Sequence, residues 1–221
     1  MEHHALIDQA IAYVEALFRE TKPDWVKYHT FQHAGAVAKA SEDIGVDCGL
    51  RGEDLEVVIL AAWFHDTGYL EKIDGHEERS VELATVFLDQ RGFAEDRIAQ
   101  VAQCIRATKM PQSPRNLIEQ VLCDADIAHL ANEDFLESTE KVRYEIEHHM
   151  GRKLPEIEWL EMNTDFLARH RYHTPCARSR YARGQAANLK ALRERLDRAK
   201  AAKANSTALL HEKNEQGDKI V

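Results

Sequence analysis

The sequence lacks the signals of a β-sheet protein. Segments in which β-branched residues alternate with polar ones are nearly absent, whereas apolar residues recur at helical spacing almost everywhere. Glycine and proline are also scarce, with 10 and 5 in 221 residues, and they form no hinge that would divide the chain. These absences predict an all-α protein with one large domain.

Cysteine pairs and long apolar runs are missing as well. Four cysteines are spread along the chain without a CxxC pair: Cys48, Cys104, Cys123 and Cys176. A chain of this size does not need disulfides to form a core, so we expect reduced thiols without a chemical role. The N-terminal amphipathic stretch is interrupted by Asp8 and Glu15, so we expect neither a signal peptide nor a membrane span. A cytoplasmic protein that does not contact membranes is expected.

Acidic residues outnumber basic ones in this sequence. The chain carries 29 Lys and Arg against 38 Asp and Glu, a formal net charge of −9. Nucleic-acid binding depends on basic residues that neutralise phosphates, so no stable nucleic-acid partner is expected. A local basic pocket would still be compatible with this charge.

Helical periodicity predicts nine segments, bounded by Gly, Pro and capping residues. They are residues 5–18, 30–44, 53–68, 76–90, 95–107, 115–131, 133–149, 156–170 and 178–203. The predicted domain covers 1–203, with a motif-bearing core over 25–135 and a C-terminal helical extension over 136–203. The polar, aperiodic stretch 204–221 is expected to be a flexible tail.

The stretch WFHDTGY, residues 63–69, closes a helix that is apolar on all sides and is therefore predicted to be buried. A buried carboxylate such as Asp66 needs a cation or several hydrogen-bond donors. A divalent metal ion held by His65 and Asp66 would meet that need. The alternative is that Asp66 caps the following turn while His65 is a hydrogen-bonded core residue, and the dipeptide alone favours this alternative.

Three further positions favour the metal. His33 lies on the preceding helix, and LCDADIAHL places Asp124 and Asp126 in an apolar context on a later helix. Residues two apart on a helix point about 200° apart, so only one of these two carboxylates can face the site. Two imidazoles and two carboxylates from three helices suit a divalent transition metal with open positions for water.

The H…HD…D pattern of His33, His65, Asp66 and Asp126 resembles the signature of the HD superfamily of metal-dependent phosphohydrolases. HEERSVELA resembles the His-Glu-x-x-Ser helix of bacterial members. RYHTPCARSRYARGQAANL is similar to the C-terminal region of predicted metal-dependent HD phosphohydrolases. The resemblance implies helices that converge on a metal held by these four residues. It prefers Asp126 over Asp124, because members carry the ligand in an Ala-Asp-hydrophobic setting.

The stretch YHTFQHAGAV resembles the Tyr-His-Asn-x-x-His-Ala sequence of cyclic-nucleotide phosphodiesterases. That resemblance implies that His29 is a general acid, although Thr30 replaces the asparagine and no glutamine that would clamp a purine is recognisable. A helix that continued back from His33 would place His29 over the same site through the i, i+4 spacing. The alternative is a surface histidine beside a helix N-terminus.

The resemblance leaves the number and identity of the metals open. Some members bind two ions bridged by the Asp of the HD pair, here Asp66, and His76 would be a ligand of the second. Thr108 and Lys109 occupy positions where the resemblance would place a further histidine, so we expect one tightly held ion and a weaker second. The alternatives for His76 and Glu77 are that they contact the metal ligands or only begin a helix, and those for Asp124 are that it contacts a ligand or lies at the surface. Mn, Mg, Fe, Co, Ni and Zn all remain candidates.

Cations near the site are candidate contacts for a phosphate: Lys109, Arg106 and Arg79. The alternative for Lys109 and Arg106 is capping of a helix C-terminus, where the helix dipole favours cations.

The leading hypothesis is hydrolysis of a phosphomonoester or phosphodiester of a nucleotide-like or other small phosphorylated metabolite. The alternatives are an iron-dependent oxygenase of the same fold and a catalytically silent nucleotide sensor. The amphipathic last helix would allow a homodimer.

Overall fold

A computed structural model describes the backbone of residues 2–217 and the side chains of residues 5–206. Within this range the chain is helical and contains no strand, which confirms the predicted all-α class. The α-helices are α1 (Glu2–Thr21), α2 (Phe31–Asp47), α3 (Gly52–Phe64), α4 (His76–Asp89), α5 (Glu95–Ala107), α6 (Leu117–Asp126), α7 (Phe135–Met150), α8 (Glu156–Arg169) and α9 (Pro175–Gly217). Two 3₁₀ helices, Thr67–Leu70 and Ala128–Ala131, follow α3 and α6. None of the helices in the described part is long and apolar enough to cross a membrane.

Helix α3 lies at the centre of the domain. It packs against α1, α2, α5 and α6, and residues such as Val57, Leu60 and Phe64 have no solvent exposure. Burying each of these large side chains contributes about 1.5–3 kcal/mol. Burial of α3 on all sides, as predicted from its apolar sequence, therefore holds the C-terminal end of this helix in place. His65 and Asp66 follow directly after that end.

Two helix boundaries near the site determine where its residues lie. Helix α2 begins at Phe31, next to the predicted start at residue 30, and does not continue back to His29. The reason is that Thr30 caps the helix in an extended conformation, its side chain accepting from the amide of His33. Helix α6 ends at Asp126, because Ile127 leaves the helical region at φ −101° and ψ 12°. The predicted single helix 115–131 is thus an α-helix followed by a 3₁₀ turn.

Helix α9 is longer than predicted. It begins at Pro175 and continues to Gly217, whereas the pattern predicted regular structure over 178–203. The sequence after position 203 lacks an apolar stripe but is rich in Ala, Leu, Lys and Glu, whose intrinsic preference is helical. Residues 218–221 of the expected tail lie outside the described residues.

The start of α9 is joined to α2 by a disulfide. Cys48, which follows α2, is bonded to Cys176, and their Cα atoms are 5.9 Å apart. The expectation of four reduced thiols is therefore wrong for this pair, while Cys104 and Cys123 are free and buried. The pair is separated by 128 positions, and sequence spacing carries no information about such a contact.

Breaking this disulfide should destabilise the domain. We expect the double variant C48S/C176S to lose about 2–4 kcal/mol of unfolding free energy, because the cross-link restricts the unfolded chain. Urea unfolding without reductant measures the loss. Reductant should bring the wild type to the value of the variant and leave the variant unchanged. Four reactive thiols in the unreduced, denatured wild type would contradict the pairing.

Candidate metal centre

Three helices bring four candidate ligands together. His33 lies in the first turn of α2, His65 and Asp66 follow α3, and Asp126 ends α6. These three helices pack against one another. One ligand atom from each residue lies within 4.8 Å of the ligand atoms of the other three. We call these four residues the metal group.

The carboxylate oxygens of the metal group lie close to imidazole nitrogens. Asp66 Oδ2 is 3.0 Å from His65 Nε2 and 3.3 Å from His33 Nε2. Asp126 Oδ1 is 3.4 Å from His65 Nε2 and 3.5 Å from His33 Nε2. All four residues therefore direct an electron-rich atom toward one point.

Unmatched polar atoms in the metal group fit a bound cation. His33 Nε2, His65 Nε2 and Asp66 Oδ2 are buried, and none makes an aligned hydrogen bond in the described structure. Nδ1 of His65 donates to the carbonyl oxygen of Ala62 at 2.7 Å, which leaves a lone pair on Nε2. Unpaired buried polar atoms are costly, and a divalent ion would satisfy all three.

The electrostatics of the metal group favour positive charge. Burial opposes ionisation, but the nearby carboxylates raise the pKa of His33 and raise that of His65 well above its usual value. Burial likewise opposes ionisation of the carboxyl groups, yet the imidazoles lower the pKa of Asp66 and of Asp126. The two carboxylates thus attract cationic partners into a buried site, as a metal site requires.

His76 adds a fifth imidazole-to-carboxylate contact. It opens α4, its Nδ1 donates to the carbonyl oxygen of Ile73 at 2.8 Å, and its Nε2 is 3.4 Å from Asp66 Oδ1. The two oxygens of Asp66 therefore face different histidines, an arrangement compatible with a bridging carboxylate. Glu77 is buried, with Oε1 3.9 Å from His76 Nε2.

A glycine allows α4 to approach the HD pair. A Cβ on Gly68 would lie 2.1 Å from the carbonyl oxygen of His76 and 2.9 Å from the amide nitrogen of Ser80. We expect Gly68→Ala to destabilise the domain by about 1–3 kcal/mol, because backbone atoms must move to admit the methyl group. Thermal unfolding measures this effect. A melting temperature within about 1 °C of the wild type would contradict the tight packing.

His29 is held by a carboxylate that the sequence did not reveal. Its Nδ1 lies 2.5 Å from Oε2 of Glu145 on α7. Oε1 of Glu145 accepts from three consecutive backbone amides, those of Lys27, Tyr28 and His29, at 2.6, 2.6 and 3.2 Å. Although burial disfavours the charge, these contacts lower the pKa of Glu145. We call His29 and Glu145 the His–Glu pair.

The His–Glu pair adjoins the metal group. The His29 ring is 5.7 Å from the His33 ring, centroid to centroid, and stacks on Tyr69 at 4.0 Å. The sequence predicted His29 beside the metal, but α7 gives only the pattern of a charged, solvated helix. The partner is 116 positions away, so no local signal identifies Glu145.

The four remaining predicted site residues also lie outside the metal group. Asp124 is buried and accepts from the amides of His173 and Thr174 at 2.6 and 2.8 Å, so it anchors the segment before α9. Two of the predicted substrate contacts bind glutamates instead. Arg79 binds Glu71 and Glu82, and Arg106 binds Glu78. The third, Lys109, is exposed. The roles of these cations stay predictions.

Residues 30–131 match the family model of the HD domain. This range includes every residue of the metal group and His76. It begins just after His29 and ends before Glu145, so the family match does not cover the His–Glu pair. A search of curated proteins found no match.

The fold is similar to crystal structures of bacterial proteins. A Lactobacillus plantarum protein is 16% identical with a TM-score of 0.67, covering 91% of this chain and 98% of its own. The Listeria innocua protein Lin1889 is 16% identical with a TM-score of 0.62, covering 88% and 95%. A predicted HD superfamily hydrolase from an uncultured Thermotogales bacterium is 19% identical with a TM-score of 0.55, covering 86% and 91%. At these identities the similarity shows a shared fold alone.

Proposed function

Because the chain belongs to the HD-domain family through residues 30–131, we propose that it is a metal-dependent hydrolase of phosphate esters. The substrate class is a phosphomonoester or phosphodiester of a nucleotide-like or other small metabolite. The observation that carries the proposal is the position of the His–Glu pair beside a group of two histidines and two aspartates, three of them buried and Asp126 partly exposed.

The metal group would hold the ion, because its buried nitrogen and oxygen atoms need a cation. A divalent ion supplies a Lewis acid, which lowers the pKa of a bound water from 15.7 toward about 7 and polarises a phosphoryl oxygen. Asp66 would contact the ion through Oδ2, and its Oδ1 beside His76 is available to a second, weaker ion. The ligand set contains no thiolate, so it does not select among Mn, Mg, Fe, Co, Ni and Zn.

The His–Glu pair would supply the proton for the leaving group. Glu145 accepts at Nδ1 of His29, so the imidazole is fixed in orientation and Nε2 is the atom that exchanges a proton with substrate. The four donors around Glu145 keep that carboxylate ionised and immobile. A histidine held in this way protonates the ester oxygen as the bond to phosphorus breaks.

A substrate screen of metal-loaded protein tests this proposal. The probes are bis(p-nitrophenyl) phosphate, p-nitrophenyl phosphate, 5′-mononucleotides and 3′,5′-cyclic mononucleotides, each with Mn²⁺, Fe²⁺ and Zn²⁺. Turnover that chelator abolishes and metal restores supports the hydrolase. Two bound irons with oxygen uptake and no phosphate-ester turnover would instead support the oxygenase. Nucleotide binding without turnover would support the sensor.

A further inference from the structure

One imidazole beside the metal group belongs neither to that group nor to the His–Glu pair. His129 lies in the 3₁₀ helix after α6, and its ring centroid is 5.2 Å from that of Tyr28. The Tyr28 ring also contacts His29 and His33, at centroid distances of 5.1 and 4.7 Å. His129 therefore borders the same space as the candidate proton donor and a residue of the metal group.

The hydrogen bond made by Nδ1 determines which nitrogen of His129 carries the proton. Nδ1 lies 3.2 Å from the backbone carbonyl oxygen of Asp126. A carbonyl oxygen only accepts, so Nδ1 is the donor. In a neutral imidazole with its proton on Nδ1, the second ring nitrogen carries no hydrogen. Nε2 consequently has a lone pair and acts as an acceptor.

Nε2 of His129 is open to a ligand. Among the side chains that the structure describes, none forms a hydrogen bond with this nitrogen. The side chain is partly exposed, and Nε2 is not one of the buried atoms without a partner. It also lies outside the metal group. The imidazole is therefore fixed by one nitrogen and presents the other to the solvent beside the site.

We propose that His129 is a specificity-determining residue, whose Nε2 accepts a hydrogen bond from a hydroxyl group on the organic part of the substrate. This inference deepens the proposed function and rests on it. Ionised phosphate oxygens are themselves acceptors and cannot bond to this nitrogen. The substrate class is therefore a phosphate ester of a polyol, such as a sugar phosphate or nucleoside phosphate, rather than a simple alkyl or aryl phosphate.

A pair of ligands that differ only in sugar hydroxyls tests the inference. Binding of AMP and of 2′,3′-dideoxyAMP to Mn²⁺-loaded full-length protein is measured by calorimetry, in a His29→Gln background that slows turnover. We expect AMP to bind at least about tenfold more tightly, because the dideoxy ligand leaves an acceptor unpaired. His129→Asn should remove this preference, since asparagine can still donate to the Asp126 carbonyl but has no atom at the position of Nε2. His129→Gln, which places an acceptor near that position, should restore it.

Three results would overturn the inference. AMP and dideoxyAMP could bind the parent protein equally, His129→Asn could retain the preference, or His129→Asn could weaken both ligands by the same factor. The last result would place His129 at the phosphate or the water instead of the sugar. In proteins with an intact His29, the same substitution should act on KM for AMP more than on kcat. If AMP binding depends on His129 but the screen finds no turnover, the hydrolase proposal fails while the recognition role stands.

Discussion

Asp66→Ala is expected to remove bound metal and hydrolytic activity together. Asp66 Oδ2 is the oxygen closest to both imidazoles of the metal group, at 3.0 Å from His65 and 3.3 Å from His33. Losing it deprives the ion of a charged ligand and leaves the two histidines without their nearest carboxylate. Metal affinity should fall by more than about 100-fold, and turnover should fall with it. Elemental analysis of protein purified without added metal measures the first effect, and phosphate release measures the second.

Two further variants control this experiment. Asp89→Ala removes an exposed carboxylate at the end of α4 and should retain the metal content and activity of the wild type. Asp66→Asn preserves the side-chain volume, so loss of metal in that variant separates charge from packing. Circular dichroism shows whether each variant is folded. A folded Asp66→Ala protein with its full metal content would refute the assignment of this residue as a ligand.

His29→Gln is expected to lower turnover most for substrates whose leaving group must be protonated as it departs. An alkoxide must be protonated as it departs, whereas p-nitrophenolate is stable without a proton. Loss of a general acid should therefore reduce kcat by about 10²–10⁴-fold for an alkyl ester, and by less than about tenfold for a p-nitrophenyl ester. The measurement is kcat for a series of esters graded by the pKa of the leaving alcohol. The metal content should not change, because His29 lies outside the metal group.

Glu145→Gln should reproduce this dependence in weaker form, because the glutamine still contacts His29 but lacks the negative charge. Glu147→Gln is the matched control on the same helix. Glu147 is also buried, but it binds Arg143, Lys153 and the amide of Leu154. Equal losses for aryl and alkyl esters in His29→Gln would contradict the role of proton donor and would place His29 in substrate or metal positioning.

The sequence predicted the all-α class, and it identified four candidate metal ligands that are far apart in the chain. His65 and Asp66 were recognisable because a charged pair at the end of an apolar helix needs a partner. His33 and Asp126 were recognisable because they complete a ligand set of the expected chemistry. The buried helix α3 could be predicted because its apolar character extends around the whole circumference.

The remaining features depend on contacts that no local pattern encodes. Glu145 is one acidic residue among many on α7, and only the packing of that helix against the Lys27–His29 turn distinguishes it. The Cys48–Cys176 disulfide arises in the same way from the packing of α9. The position of His129 depends on the break at Ile127. An unbroken helix would have directed that imidazole elsewhere.

The metal group is expected to hold a divalent ion. Anomalous diffraction from crystals grown with Mn²⁺, recorded on both sides of the manganese edge, locates such an ion. We expect a peak within about 2.0–2.3 Å of His33 Nε2, His65 Nε2 and carboxylate oxygens of Asp66 and Asp126. A crystal in which these four side chains have no peak between them at saturating Mn²⁺, or in which the ion binds elsewhere, would contradict this expectation.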